Sequence, residues 1–442
     1  LQDATTCSYI IGIGANALNK NTIGARNVAI GGFALGTNVS GSDCTAVGYE
    51  AGIVSLSSGI TAIGSKALTA NTSGANNTAV GFSALLANIT GSENVAVGSS
   101  ALPSSTSNGN TAVGFNSGYY ISTGVKNIGL GHSAASGVNS GSYNIAIGTD
   151  SLASSLFGLF HIGNDNVAIG RSSMLSSGFI SGANNVGIGK DTFRNLGSGA
   201  SNVAIGRESA NKLTTGQTNT YVGAAAGYAN LTGDNNVGIG FQALVAATVS
   251  NLTAVGSNAL VSNTSGIQNT AVGREALAAV VTTSNNTALG YQAGEFTTGA
   301  DNTAIGSNAL GLATGGTGNT AVGVSSLGAG IVTGNYNTAI GIGSGAIVTS
   351  GANNTLLGVD AGDTTTTGSS NICIGRLART SAAGASNELS VGSSTYFVAT
   401  DGAANTFFTS ANVLSTGTLP ATCGFIKINL NGTIRKIAVY AV

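Results

Sequence analysis

The chain has 442 residues, 69 of them Gly, only 2 Pro and no Trp; 7% are charged, and the formal net charge is −1. An apolar share of 42% excludes a disordered chain, the missing Gly-every-third pattern with abundant Pro excludes collagen, and the lack of a basic surplus argues against nucleic-acid binding. Two His in the whole chain leave little material for acid–base or metal chemistry, so no catalytic residue, cofactor or metal ion is expected.

In chain order, residues 1–9 are expected to form a cap or junction, because an open solenoid end would expose unpaired strand edges. They carry no basic and then apolar pattern of a signal peptide. No apolar stretch anywhere reaches the ~20 residues of a membrane helix, so membrane insertion is not expected.

From residue 10 to 395 one pentad, Asn-Thr/Val-Ala-Val/Ile-Gly, recurs. Clear copies occupy 77–81 (Asn77, Val80, Gly81), 269–273 (Asn269, Val272, Gly273) and 302–306 (Asn302, Ile305, Gly306). Anchored on the closing glycine there are 23 copies, from Gly14 to Gly392, and 19 of the 22 spacings are 16 or 17 residues. The residue before the glycine is Val, Ile or Leu in every copy, and the one two before it is small in all but Tyr221 and Leu356. Apolar, small, apolar is a strand of period two, with β-branched residues suited to a pleated surface. The expected arrangement packs the branched face and leaves the small face to a close-approaching neighbour. Asp placed at Val272 or Ile305 is then expected to destabilise the coil by burying a charge.

Ala, Ser or Thr follows three residues after each glycine, often with Leu next, as in Ala276-Leu277. Much of the charge gathers between, at Glu50, Lys66, Asp150, Arg171, Lys190, Asp191, Arg207, Glu208, Arg274, Glu275 and Asp360. A short second strand with a wet outer face is expected there, followed by a turn rich in Thr, Ser, Gly and Asn. Two strands and two turns per repeat describe one coil of a parallel β-solenoid of about 23 coils. At about 4.8 Å per coil the rod is on the order of 105 Å long. The pentad Asn, present in 18 of 23 copies, reads as a turn residue bonding backbone or stacking in an asparagine ladder.

The repeat is irregular near 149–200, where Phe157, Phe160 and His161 belong to an insertion. Solenoid insertions form loops on one face, often the binding face, so these residues are a candidate partner-contact loop; the alternative is a bulge packed on the coil below, with His161 a packed histidine. The four cysteines, Cys7, Cys44, Cys373 and Cys423, lack metal-ligand spacing and read as packing residues or free thiols. Glycosylation sequons occur at Asn38, Asn71, Asn88, Asn230, Asn251, Asn263 and Asn431. Residues 396–442 lose the pentad and are expected to form a small β domain ending in a hairpin about Asn431-Gly432.

The reiterated pentad resembles the head repeat of YadA-like trimeric autotransporter adhesins over residues 10–395. That resemblance implies a left-handed parallel β-roll with three chains side by side. The thin core of one coil independently favours an oligomer. The stalk heptads and membrane anchor of that family are absent from this sequence, and the C-terminal stretch instead resembles the tails of phage and large-virus fibre proteins. The expectation is therefore a non-enzymatic homotrimeric viral fibre, on a virion or otherwise extracellular. It would contact a host-surface receptor or glycan and join other virion proteins at one end. A bacterial cell-surface adhesin is the alternative, and a polysaccharide-binding or polysaccharide-degrading tailspike a third. Alternation of Thr with Ala, Val and Ile disfavours an ice-binding solenoid, and the absence of G-G-x-G-x-D excludes a calcium-binding nonapeptide array.

Overall fold

The computed structural model describes residues 8–155, 160–176, 178–392, 398–399, 425–430 and 433–438. Twenty-two three-residue strands, β1 (Ile11–Ile13) to β22 (Ile372–Ile374), and the four-residue β23 (Glu388–Val391) stack in chain order, one per coil. Each pairs in parallel with the next and without slip: Thr270 lies opposite Thr287, Ala271 opposite Ala288 and Val272 opposite Leu289. The long repeats keep this register, with Ile147, Ile169 and Ile188 aligned across β9 (Ile145–Ile147), β10 (Val167–Ile169) and β11 (Val186–Ile188). The protein is an all-β parallel solenoid, with no helix among the described residues.

The faces of the strand are the reverse of the expectation. The small central residue points inward and is fully buried, as at Ala79, Ala271 and Ala304. Its neighbours point out: Val80 and Val272 are half-buried and Ile305 is exposed. Period two says which residues share a face, not which face is inside. The coil interior is too narrow for a branched residue there, because Ala and Leu from the opposite side, such as Ala276 and Leu277, already fill it. Val272 and Ile305 are therefore not buried positions, and an Asp at either would not be a buried charge in a single chain.

The second strand does not form either. Two residues after the glycine in the coils from Gly14 to Gly375, and four after it from Gly14 to Gly358, the backbone is left-handed even at large side chains: Lys66 has φ 61° and Leu68 φ 53°. That geometry is incompatible with an extended strand. These turns still pair coil to coil: Lys66 N–H donates to the Tyr49 carbonyl (2.9 Å) and Leu68 N–H to the Ala84 carbonyl (2.9 Å). The coil is thus one strand plus a hydrogen-bonded stack of turns.

Where the inner column carries a bulky residue, glycine makes room. The buried Tyr221 ring occupies the space a Cβ would need at Gly227 and Gly238, and Leu356 does the same at Gly345 and Gly362. Volume is conserved across the coil rather than at one position.

Of the expected C-terminal domain, the described residues comprise β24 (Val398–Ala399), antiparallel to β23, and a hairpin of β25 (Phe425–Leu430) with β26 (Thr433–Ala438). Leu430 lies opposite Thr433, the register expected of a hairpin about the Asn-Gly pair, whose own residues 431–432 lie outside the described residues. Residues 1–7 of the expected cap lie outside the described residues.

The pentad glycine is required twice over. Gly273 has φ +137°, and a Cβ there would sit 2.2 Å from the Gly290 carbonyl oxygen of the next coil. Gly81 and Gly306 are alike, with φ +136° and +131°. Gly273→Ala is expected to cost at least about 1–3 kcal/mol, measured as a lower urea-denaturation midpoint and faster proteolysis around that coil.

Candidate interaction site

Three features of the coil bear on function: a buried asparagine ladder, the outward strand columns, and the irregular coils near 149–180. The ladder is formed by the pentad asparagines. Asn302 N–H donates to Asn286 Oδ1 (3.1 Å), Asn302 Nδ2 to the Gly316 carbonyl (2.9 Å), and Asn319 N–H to Asn302 Oδ1 (2.9 Å). The same contacts hold at Asn77, whose Oδ1 accepts from Asn94 N–H (2.9 Å) and whose Nδ2 donates to the Gly91 carbonyl (2.7 Å). Asn269 joins through Asn286 N–H (2.9 Å) and the Thr283 carbonyl (2.8 Å). The ladder bridges the longest repeat, Asn166 N–H reaching Asn144 Oδ1 at 3.0 Å. These are structural residues: both ends of each amide are engaged and none faces solvent.

The outward columns are the opposite case. Residues three before and one before each glycine form two parallel lines of Val, Ile, Leu and Thr on one face of the sheet. Ile305 is 36% exposed, Ile340 44% and Ile374 40%. The face extends about 105 Å along the rod and about 7 Å across, with Thr at twelve of the 23 positions three before the glycine and Val, Ile or Leu at the rest.

In the irregular coils His161 is buried, not presented. Its Nε2 lies 3.1 Å from the Ala153 carbonyl, and its Nδ1 accepts from Ile180 N–H at 3.3 Å. Its backbone bridges Val138, and its ring fills the space a Cβ would occupy at Gly137. Burial pushes the imidazole down to about 4. Phe160 is half-buried with its ring 5.3 Å from Tyr120, and Phe157 lies outside the described residues. The packed-histidine reading fits; His161 is not placed to meet a partner.

The described residues also bring together groups that no sequence pattern marks. Ser133 Oγ lies 3.1 Å from His132 Nδ1, and Asp150 Oδ1 lies 4.0 Å from the same nitrogen. A nucleophile relay needs the carboxylate and the hydroxyl on different ring nitrogens, so this trio is not one. Glu275 is held below the usual carboxylate range by hydrogen bonds from Arg274 and Gln292, while burial, then the charge of Glu275, pushes Glu295 up. Glu275 Oε1 accepts from Arg274 (2.8 Å) and Oε2 from Gln292 (2.8 Å). No group of three or more His, Cys, Asp or Glu among the described residues is arranged to hold a metal ion, and no helix is long and apolar enough to cross a membrane.

Cys44 and Cys373 are buried free thiols, as read from sequence; Cys7 and Cys423 lie outside the described residues. Of the sequons, Asn38, Asn71, Asn88, Asn230 and Asn263 are fully buried, so the folded coil has no room for a glycan there. Asn251 is exposed, and Asn431 lies outside the described residues.

The chain matches no protein-family model and no curated protein.

Two predictions follow from the ladder and the histidine. Asn302→Ala leaves Asn319 N–H and the Gly316 carbonyl without their partner and is expected to cost about 1–3 kcal/mol, measured by urea denaturation. His161 titrates lower when folded than when unfolded. Its stabilising contribution is complete above about pH 6.5 and falls as pH drops to about 4, by about 3 kcal/mol. Protease sensitivity of the 149–180 region should rise between pH 7 and pH 4.5, and His161→Leu should abolish that dependence.

Proposed function

We propose that the chain is a non-enzymatic structural fibre, three copies of which pack side by side through the outward Val, Ile and Thr columns. The exposed apolar face carries this reading. The face runs the length of the rod, and Val, Ile and Leu outnumber Thr in it. The number three comes from the resemblance of the pentad array to YadA-like adhesin heads. A cyclic arrangement of parallel rods turns the same face of every copy toward one axis, which keeps it from water.

The fibre stands on a virion surface, one end joined to other virion proteins and its side or tip contacting a host-surface receptor or glycan. Support for the viral setting is the C-terminal stretch, which resembles phage and large-virus fibre tails and includes the Asn-Gly hairpin. A bacterial surface adhesin is the second reading, favoured by the repeat itself.

Mass measurement in solution, by light scattering or sedimentation, is expected to give three chains per particle; a stable monomer or a dimer would sink the trimer. Val272→Asp with Ile305→Asp is expected to weaken assembly at least about tenfold, since two charges per chain would be desolvated. Circular dichroism should meanwhile keep its β signature. Loss of the coil itself in that variant, with wild-type association intact, would contradict the outward placement.

A further inference from the structure

The position one residue after the pentad glycine forms its own column, beside the outward face. Its side chains project in parallel from coil to coil: Phe115 and His132, neighbours in this column, stack with centroids 5.3 Å apart, and the Arg274 guanidinium lies 5.6 Å from the Tyr291 ring centroid in the next coil. Charge in this column has one sign. Arg171, Lys190, Arg207, Arg274 and Arg376 stand there with no acid, whereas the next column holds Glu50, Asp150, Asp191, Glu208, Glu275 and Asp360 with only Lys66 against them.

Three of the cations fall in consecutive coils. Asp191 N–H donates to the Arg171 carbonyl (3.1 Å) and Glu208 N–H to the Lys190 carbonyl (2.9 Å), which fixes Arg171, Lys190 and Arg207 in one line with steps of about 4.8 Å. All three residues are exposed. Arg171 and Arg207 have no ion-pair partner among the described residues; Lys190 shares Asp191 (3.4 Å) with Arg194 (3.2 Å). Residues 171–212 hold five cations and two acids, in a chain with 15 cations and net charge −1. Like charges aligned at this spacing repel, and the acids of the next column offset them only in part, since Asp191 is shared by Lys190 and Arg194.

We infer that Arg171, Lys190 and Arg207 form a cationic track that binds a linear anionic polysaccharide along the rod. The inference rests on the reading of the chain as a surface-contacting fibre and names the chemistry of what it contacts. A polymer with one acidic group per sugar or per few sugars meets the cations at regular steps. Nucleic acid fits less well: three cations neutralise few phosphates, and Thr149 and Ala224, which flank the track in this column, offer bases no aromatic to stack on.

The test uses the full chain, with heparin as a sulfated probe, polygalacturonate as a carboxylated one, and dextran and duplex DNA as controls. Binding is measured at low and high ionic strength, with particle mass recorded alongside. The decisive variant is Arg171→Ser/Lys190→Ser/Arg207→Ser; Ser already stands in this column at Ser65, Ser99, Ser257 and Ser307. Wild type is expected to bind at least one anionic polysaccharide in a salt-sensitive way and to ignore dextran. Each exposed pair contributes little alone, so the triple variant should lose about tenfold in affinity at unchanged mass, while Arg376→Ser loses almost nothing. Absence of binding, binding untouched by the triple variant, or DNA bound as tightly as the polysaccharides would overturn the track. So would a triple variant whose particle falls apart, which would assign the cations to contacts between chains. A monomeric wild type that still binds through the track would refute the trimer and leave the track standing.

Discussion

Every coil rests on the next at backbone contact distance, and the rest of the molecule follows from that. From Gly14 to Gly358 the next pentad glycine's carbonyl is too near for any Cβ, and the chain turns through a φ near +130° that side chains avoid. Such closeness is possible only if identical positions stack without slip, as the pairings from β1 to β23 show. Once register is fixed, any property of one position becomes a line running along the rod. Amides become a ladder, branched residues a stripe, and cations a track.

That multiplication explains how the chain tolerates unfavourable geometry. Left-handed backbone at Leu35, Leu68 or Leu102 is unfavourable for a single residue. Each such turn is nevertheless held by hydrogen bonds to the coils on either side, and the inward Leu fills the interior opposite the strand. The asparagine ladder acts in the same sense, with two interruptions in its continuity. It is unbroken from Asn77 to the Leu252 N–H and resumes from Asn269 to the Glu388 N–H. Ahead of Asn77, Cys44 and Ile60 take the asparagine position; Cys44 N–H still donates to Asn27 Oδ1 (3.0 Å), while Gly52 gives space to the Ile60 side chain.

Much of the architecture was legible in the sequence, because a strict period of 16 or 17 leaves few alternatives to a stacked coil. The glycine anchor, the parallel strands, the asparagine ladder, the free buried thiols at Cys44 and Cys373 and the hairpin of β25 with β26 all follow from residue type and spacing. The direction of the strand faces was not legible. Alternation around Ala271 is symmetric in sequence, and only the width of the coil decides that Ala goes in and Val272 goes out. The turn after the glycine was hidden for another reason: Leu and Lys are not left-handed residues by preference, so Lys66 and Leu68 read as strand. Among site residues, His161 was ambiguous until its two ring nitrogens were seen to be taken by backbone. The cationic track was visible only as a concentration of charge until the register put Arg171, Lys190 and Arg207 in one line.

The insertion also limits how such a rod can change its reach. A regular coil meets its neighbours through the same contacts everywhere, so duplicating or deleting one whole repeat alters length by about 4.8 Å and leaves each remaining junction as it was. The coils around His161 are different, because the ring needs Gly137 in the coil before it and the Ile180 N–H in the coil after. Those coils can be copied only as a set. The molecule is thus freely extensible on both sides of a fixed landmark, and the distance from that landmark to either end is a quantity that gene-level repeat slippage can tune in whole steps.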